Sequence, residues 1–302
     1  MASVIVLSGG SSDERAISLR SGSAVIAALK QAGNQVEQLD PADGLPEAKL
    51  QACDTVFPVL HGSGGEDGEV QKQLDDLGVA YVGSGVKSSE LCYDKWQYKQ
   101  FMQTHGLPTP DGRLVDITGF WSSTLSRQRF VLKPNDGGSS VDTYIHRTSS
   151  EAPKDVIADL FSRHPKMLLE ELVEGVEITV GVLGDKPLPV IEIIPPESGE
   201  FDYENKYNGK SQELCPPEHV NGSIQTAAQE LAVRAHSLCG CRDFSRTDIM
   251  VTPLGELSVL ETNTIPGMTD QSLFPKAAAT AGIPMPELVD QLVKMALARK
   301  TT

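Results

Sequence analysis

Ser3-Val4-Ile5-Val6-Leu7-Ser8-Gly9-Gly10 decides how the first third of this chain folds. An apolar, β-branched run that stops at a glycine pair reads as a buried strand ending in a tight turn. Residues 15–31 follow as a helix, with Leu19, Ile26 and Leu29 near helical spacing. Residues 55–60 form a second buried run that ends at His61-Gly62-Ser63-Gly64-Gly65. Residues 70–77 read as a helix, and 79–82 as a short strand before Gly83-Ser84-Gly85. Strand and helix alternate, so the pattern is α/β with a largely parallel sheet. Functional groups then belong on the loops that follow the strands.

Further along, residues 88–106 read as one helix carrying Lys95 and Lys99. Residues 130–133 and 167–172 read as strands of a second lobe, and 178–183 and 188–194 as a strand pair around Gly184-Asp185-Lys186-Pro187. The segment 195–217 is polar and has no period, so it reads as a long functional loop. A helix over 224–238, strands over 247–251 and 257–261, and a closing amphipathic helix over 284–298 complete the chain.

Composition narrows the function classes. The chain has 302 residues, 39% hydrophobic and 22% charged, which suits a soluble globular protein of two or three lobes. Its formal net charge of -15 opposes a nucleic-acid partner, because a phosphate backbone is held by clustered Lys and Arg. A single nucleotide, needing a few placed cations, stays compatible. No apolar run approaches the roughly 18 residues of a membrane span. The N-terminus has no basic region before its apolar run, so it reads as a strand and not a signal peptide. Five cysteines, Cys53, Cys92, Cys215, Cys239 and Cys241, are odd in number and irregular in spacing. They read as reduced thiols of a cytoplasmic protein. Cys239-Gly240-Cys241 with His236 lacks the second pair of a closed zinc site and reads as small buried thiols.

Three constellations carry chemistry. Glu261 and Asn263 are two apart on one strand and share a face, and Asp248 lies on the neighbouring strand. Oxygen donors in that pattern suit Mg²⁺; the plain alternative is a polar strand end. Lys133 closes a strand before Asn135-Asp136-Gly137-Gly138-Ser139-Ser140, where glycine amides and serine hydroxyls can approach a phosphate. A surface turn would use the same residues. His61 leaves a buried strand into a glycine-rich loop, as a site histidine or as a hydrogen-bonded structural one. Neither Gly-x-Gly-x-x-Gly after the first strand nor a P-loop is present, since Glu204 stands where the first glycine before Gly209-Lys210-Ser211 should be.

Taken together and in order, these segments resemble the D-alanine–D-alanine ligases of the ATP-grasp superfamily. The resemblance covers nearly the whole chain. It runs through residues 7–18, 60–68, 81–85, Asp94-Lys95, Lys133-Pro134, 138–141, 174–180, 202–207, Cys215-Pro216, Arg246-Thr247-Asp248 and 261–269. It implies a three-lobed ATP-grasp architecture: an N-terminal parallel-sheet lobe over 1–90, a central lobe over 91–177, and a C-terminal lobe over 178–302 with the loop 195–217 at the active site. It implies ATP-dependent joining of two D-alanines through an acyl phosphate. The partners are D-alanine and ATP, with two Mg²⁺ ions (Mn²⁺ as a substitute) and a homodimer as the assembly.

The resemblance also implies residue roles. Lys95 and Lys133 would hold ATP phosphates beneath the Ser139-Ser140 loop, and Lys206 would approach the γ-phosphate. Glu170 and the Val173 backbone would read the adenine, and Glu177 would hold the ribose. Asp248, Glu261 and Asn263 would hold the metal ions. Glu14 would bind the first substrate's ammonium group with His61 beside it. Arg246 and the Gly267 amide would stabilise the oxyanion. Ser272 and the Leu273 backbone would bind the second carboxylate. Tyr207 would link to Glu14 through Ser139, and with Lys206 it marks the type that uses an amine acceptor. Two positions depart from the family pattern: Ile265 stands where some relatives carry serine, a mild change, and Asp142 stands where glycine is usual. An acidic side chain there would repel triphosphate unless it points away or meets a cation; aspartate does tolerate a left-handed backbone.

Overall fold

The computed structural model describes residues 1–138, 141–195 and 212–300. The opening strand β1 (Ser3–Leu7) pairs in parallel with β2 (Gln35–Leu39) on one side and β3 (Thr55–Pro58) on the other. Its side chains alternate between two cores. Val4 and Val6 meet Val25 and Leu29 of the helix Arg15–Gln31 and Leu288 and Leu292 of the helix Met285–Lys300. Ile5 and Leu7 meet Leu50, Val70 and Leu74 on the opposite face. Each such buried aliphatic side chain contributes about 1.5–3 kcal/mol, so the first strand anchors both layers. The expected strand over 79–82 is reduced to one parallel bridge, Val56 to Tyr81.

The second sheet is antiparallel, in the order β4 (Gly112–Val115), β7 (Met167–Glu171), β5 (Phe130–Pro134), β6 (Tyr144–His146). Phe130, Leu132, Met167 and Leu169 pack on Ile157, Leu160 and Phe161 of the helix Lys154–Arg163. The third sheet runs β11 (Gln212–Leu214), β10 (Ile191–Ile194), β8 (Val176–Leu183), β12 (Phe244–Val251), β13 (Leu257–Asn263), with β9 (Lys186–Pro187) paired to β8. Ile178, Val180, Ile249 and Val259 pack on Ala228, Ala232 and Ala235 of the helix Gly222–Leu238 and on Tyr98 and Met102 of the helix Lys95–Thr104. Gly181 keeps the opposite face close to the helix Leu273–Thr280, since a Cβ there would come 2.9 Å from the Phe274 ring.

Two expectations are corrected. The single helix over 88–106 is two, Val86–Tyr93 and Lys95–Thr104, because Asp94 is extended and its carboxylate caps the second by accepting from the Gln97 amide at 2.9 Å. The expected loop 195–217 includes β11, which extends the third sheet beside β10.

The first sheet is tied to the helix Met285–Lys300 and the start of β12 by a buried carboxylate. Asp243, at φ 61, accepts from the Gly83 amide at 2.7 Å and is bidentate with Arg299, whose Nη2 also donates to the Tyr81 carbonyl at 2.8 Å. Asp243→Ala removes the acceptor of a buried amide and strains a left-handed position. A loss of about 2–4 kcal/mol in urea unfolding is expected. Asp243→Asn should lose less, since asparagine still accepts and tolerates that backbone.

Candidate active site

Two cavities open between the sheets. One, of about 930 Å³, lies between the second and third sheets. The other, of about 980 Å³, lies between the helix Arg15–Gln31 and the start of the helix Leu273–Thr280. They meet at Glu14, Tyr93, Lys95, Gly137, Gly138 and Glu261. Lys95, Lys133, Glu170, Val173, Glu177 and Asp248 line the first; His61, Arg246, Asn263, Gly267, Ser272 and Leu273 line the second. Ser139, Ser140, Lys206 and Tyr207 lie outside the described residues.

Three charges are packed together at the roof of the first cavity. Glu170, 2% exposed, lies 2.6 Å from Lys133 Nζ through Oε2 and 2.7 Å from Lys99 Nζ through Oε1. Burial by itself would raise its carboxyl, but Lys133 and Lys99 outweigh burial and hold it below the usual range. Burial pulls the Lys99 ammonium down, offset in part by Glu170, whereas Glu170 and Glu261 carry Lys133 upward against burial. Lys99 also donates to the Pro110 carbonyl at 2.5 Å. Sequence reasoning placed Lys99 on its helix but gave it no role. Its spacing from Lys95, one helical turn, was the available signal.

Lys95 is positioned by Asn135. The Asn135 carbonyl accepts from the Lys95 amide at 2.9 Å, and its side chain accepts from the Trp96 amide at 2.9 Å. The Lys95 ammonium donates to the Gly137 carbonyl. Burial lowers Lys95, and Glu261 opposes that shift. The start of this helix and the glycine loop are therefore one unit.

The floor carries the acids. Asp248 pairs with Glu261 across β12 and β13, and Arg246 with Asn263. The register then slips, with Ile249 opposite Val259, so Leu260 is a bulge residue. Leu260 and Glu261 consequently both line the cavity while Val259 stays in the core. Asp248 receives Arg246 Nε at 2.9 Å and Nη2 at 2.8 Å, and Thr179 Oγ1 at 2.5 Å. Among the described residues no three His, Cys, Asp or Glu side chains gather as a metal cage. The expected set is leaner, two carboxylates and an amide. Hard oxygen donors at paired positions facing a cavity with lysines on its far side fit a divalent cation shared with phosphate.

The second cavity joins distant segments. Glu14 ends the turn before the helix Arg15–Gln31 and is buried. Gly62 and Gly138 both lie against its carboxylate: a Cβ on either would come within 3.0 or 3.1 Å of Oε2. His61 Nε2 is 3.3 Å from Ser21 Oγ, which accepts from the Met268 amide at 3.4 Å. Ser272 precedes the helix Leu273–Thr280 without a side-chain cap bond, and its Oγ takes the Thr269 amide at 3.0 Å. Helix amides left open there can receive a carboxylate.

Asp142 sits at φ 55 and turns to Arg163 and His164: Arg163 pairs with one oxygen and His164 Nε2 lies 2.6 Å from the other. Burial would raise this carboxyl, but His164 and Arg163 draw it lower. The conflict expected from the departure is resolved by two residues at the end of the helix Lys154–Arg163. His164 gave no spacing signal in the sequence.

A family model described as D-ala D-ala ligase C-terminus matches residues 120–294, and one described as D-ala D-ala ligase N-terminus matches 33–84. The D-alanine–D-alanine ligase of Oleidesulfovibrio alaskensis is 41% identical over 302 residues, spanning 98% of this chain and 96% of that protein. That of Syntrophobacter fumaroxidans is 41% identical over 305 residues, with 97% of each chain covered. Among solved structures, a D-alanine–D-alanine ligase from Bacillus anthracis superposes with a TM-score of 0.86 at 30% identity, covering 100% of this chain and 99% of that one. The same enzyme complexed with ATP gives 0.81 at 27% identity, with the same coverage.

Glu170→Gln removes the shared counter-charge of two buried ammonium groups and should cost about 3–5 kcal/mol at neutral pH. The pH dependence has a fixed sign. A carboxyl lowered by folding contributes stability above its unfolded value, about 4.3, and loses it as pH falls through the lower folded value. Urea unfolding from pH 7 down to 3 should show the gap between wild type and Glu170→Gln closing below about pH 4.3. A gap constant with pH would reject this account of Glu170.

Proposed function

This chain belongs to the D-alanine–D-alanine ligase family, and on that premise we propose that it joins two D-alanines at the expense of ATP. The observation that carries the reading is the meeting of the two cavities at Lys95, Glu14 and Glu261: a lysine-roofed, acid-floored space opens directly into one bounded by Glu14 and an uncapped helix start. A carboxylate is a poor acyl donor. Transfer of the γ-phosphate makes its oxygen a leaving group, and the amine of a second D-alanine then attacks the carbonyl and expels phosphate.

Lys95 and Lys133 hold the phosphates, and Val173, Glu170 and Glu177 take the adenine and ribose. Glu14 takes the first ammonium group with His61 beside it. Arg246 and the Gly267 amide stabilise the oxyanion. Ser272 and the Leu273 amide take the second carboxylate. Asp248, Glu261 and Asn263 would hold Mg²⁺, which neutralises charge on the transferring phosphoryl group. The roles implied for Ser139, Ser140, Lys206 and Tyr207 fall on residues outside those described. The lobes divide at 1–90, 91–177 and 178–302. The enzyme works as a homodimer in the cytoplasm, and its product feeds peptidoglycan precursor synthesis. No helix among the described residues is long and apolar enough to cross a membrane.

Purified protein with ATP, Mg²⁺ and D-alanine should give D-alanyl-D-alanine and phosphate in equal amounts by mass spectrometry and phosphate assay. L-alanine should give none, and chelation by EDTA should stop turnover. Product only in tubes that add D-lactate or D-serine would replace the acceptor. ATP binding without product would reject the ligase reading. Arg246→Ala should lower kcat by about 100-fold or more while the fold persists by circular dichroism.

A further inference from the structure

Cys239-Gly240-Cys241 stood in the sequence as a pair without partners. The fold supplies a third thiol from 147 positions upstream of Cys239, since Cys92, in the last turn of the helix Val86–Tyr93, packs in the same core cluster. The three thiols are buried in one core cluster. Ser88, one turn before Cys92, donates to the Cys239 carbonyl at 2.8 Å and to Cys241 Sγ at 3.5 Å. All three cysteines are buried, yet Cys92 lines the second cavity, so the cluster has a way in for a small solute. None of these thiols has a place in the ligase chemistry.

We propose that Cys92, Cys239 and Cys241 form an oxidisable site that reacts with hydrogen peroxide and closes a Cys92–Cys241 disulfide. The sulfur of Cys241 attacks the peroxide's distal oxygen. An S–O bond forms as the O–O bond breaks, and the first water leaves with the thiol proton. The Cys92 sulfur then attacks the Cys241 sulfenic acid. An S–S bond forms as S–O breaks, and the departing hydroxide leaves as water with the Cys92 proton. Two thiols lose two electrons, and one peroxide is reduced to two waters.

Position assigns the pair. Ser88 Oγ lies 3.5 Å from Cys241 Sγ, and Cys92 is one turn beyond Ser88 on the same helix face, so Cys241 and Cys92 flank one hydroxyl. A bond within Cys239-Gly240-Cys241 would close a ring too tight for ordinary disulfide geometry. The fold selects the pair from different elements.

The test treats full-length protein with hydrogen peroxide, quenches it and maps it by non-reducing tryptic mass spectrometry. Expected are an intact mass lower by two hydrogens and a fall in free thiols from five, two being consumed. Peptide 88–95 should appear joined to 235–242. Dithiothreitol should reverse both changes. The bond should survive Cys239→Ala and vanish in Cys92→Ala, with Cys53 and Cys215 as internal controls. Five intact thiols after treatment, added oxygen without the 88–95 to 235–242 link, or loss of the link in Cys239→Ala would overturn the proposal. The readout is chemical and not catalytic, so it stands or falls separately from the ligase assay.

Discussion

A carboxylate buried between two ammonium groups holds the first cavity together. Glu170 comes from β7, Lys133 from β5 and Lys99 from the helix Lys95–Thr104. Removing three ions from water is costly, and the arrangement is stable only while every member is present. That condition fixes the helix against the second sheet. Lys95, one turn earlier on the same helix, is thereby held over the glycine loop. One electrostatic cluster therefore sets the distance between the lysines that face the first cavity.

The floor depends on a different constraint. A strand of strict alternation would give Leu260 and Glu261 to opposite faces. The bulge places both on the cavity side and returns Val259 to the core beneath. Asp248 and Glu261 thus oppose each other without sacrificing the packing of the third sheet on the helix Gly222–Leu238. Acids on the floor and lysines on the roof make a cavity with both signs of charge, suited to a polyanion accompanied by a cation. Asp142 obeys the same logic one layer out, where Arg163 neutralises it and His164 holds its second oxygen before it faces that space.

The second cavity is built from long-range contacts. Ser21 links His61 to the Met268 amide, and Asp243 links the Gly83 amide to Arg299. Glu14 and Ser272 face the same cavity only because these contacts dock the first sheet on the C-terminal helices. Damage to Asp243, remote from the chemistry, would be felt as a loss of docking.

Local pattern determined much of this protein. The apolar run 3–7 with its glycine stop, the helix 15–31 and the strand-borne positions of Lys133, Asp248 and Glu261 follow from side-chain period and turn chemistry, which act over a few residues. The ordered motifs, from Glu14 to Asn263, were legible for the same reason. Tertiary structure decided the rest. The bulge at Leu260, the burial of Lys99 beside Glu170, the rescue of Asp142 by Arg163 and His164, and the meeting of Cys92 with Cys239 and Cys241 all join groups separated along the chain. Their energies arise from desolvation and close approach in three dimensions, and no short-range period in the sequence encodes either.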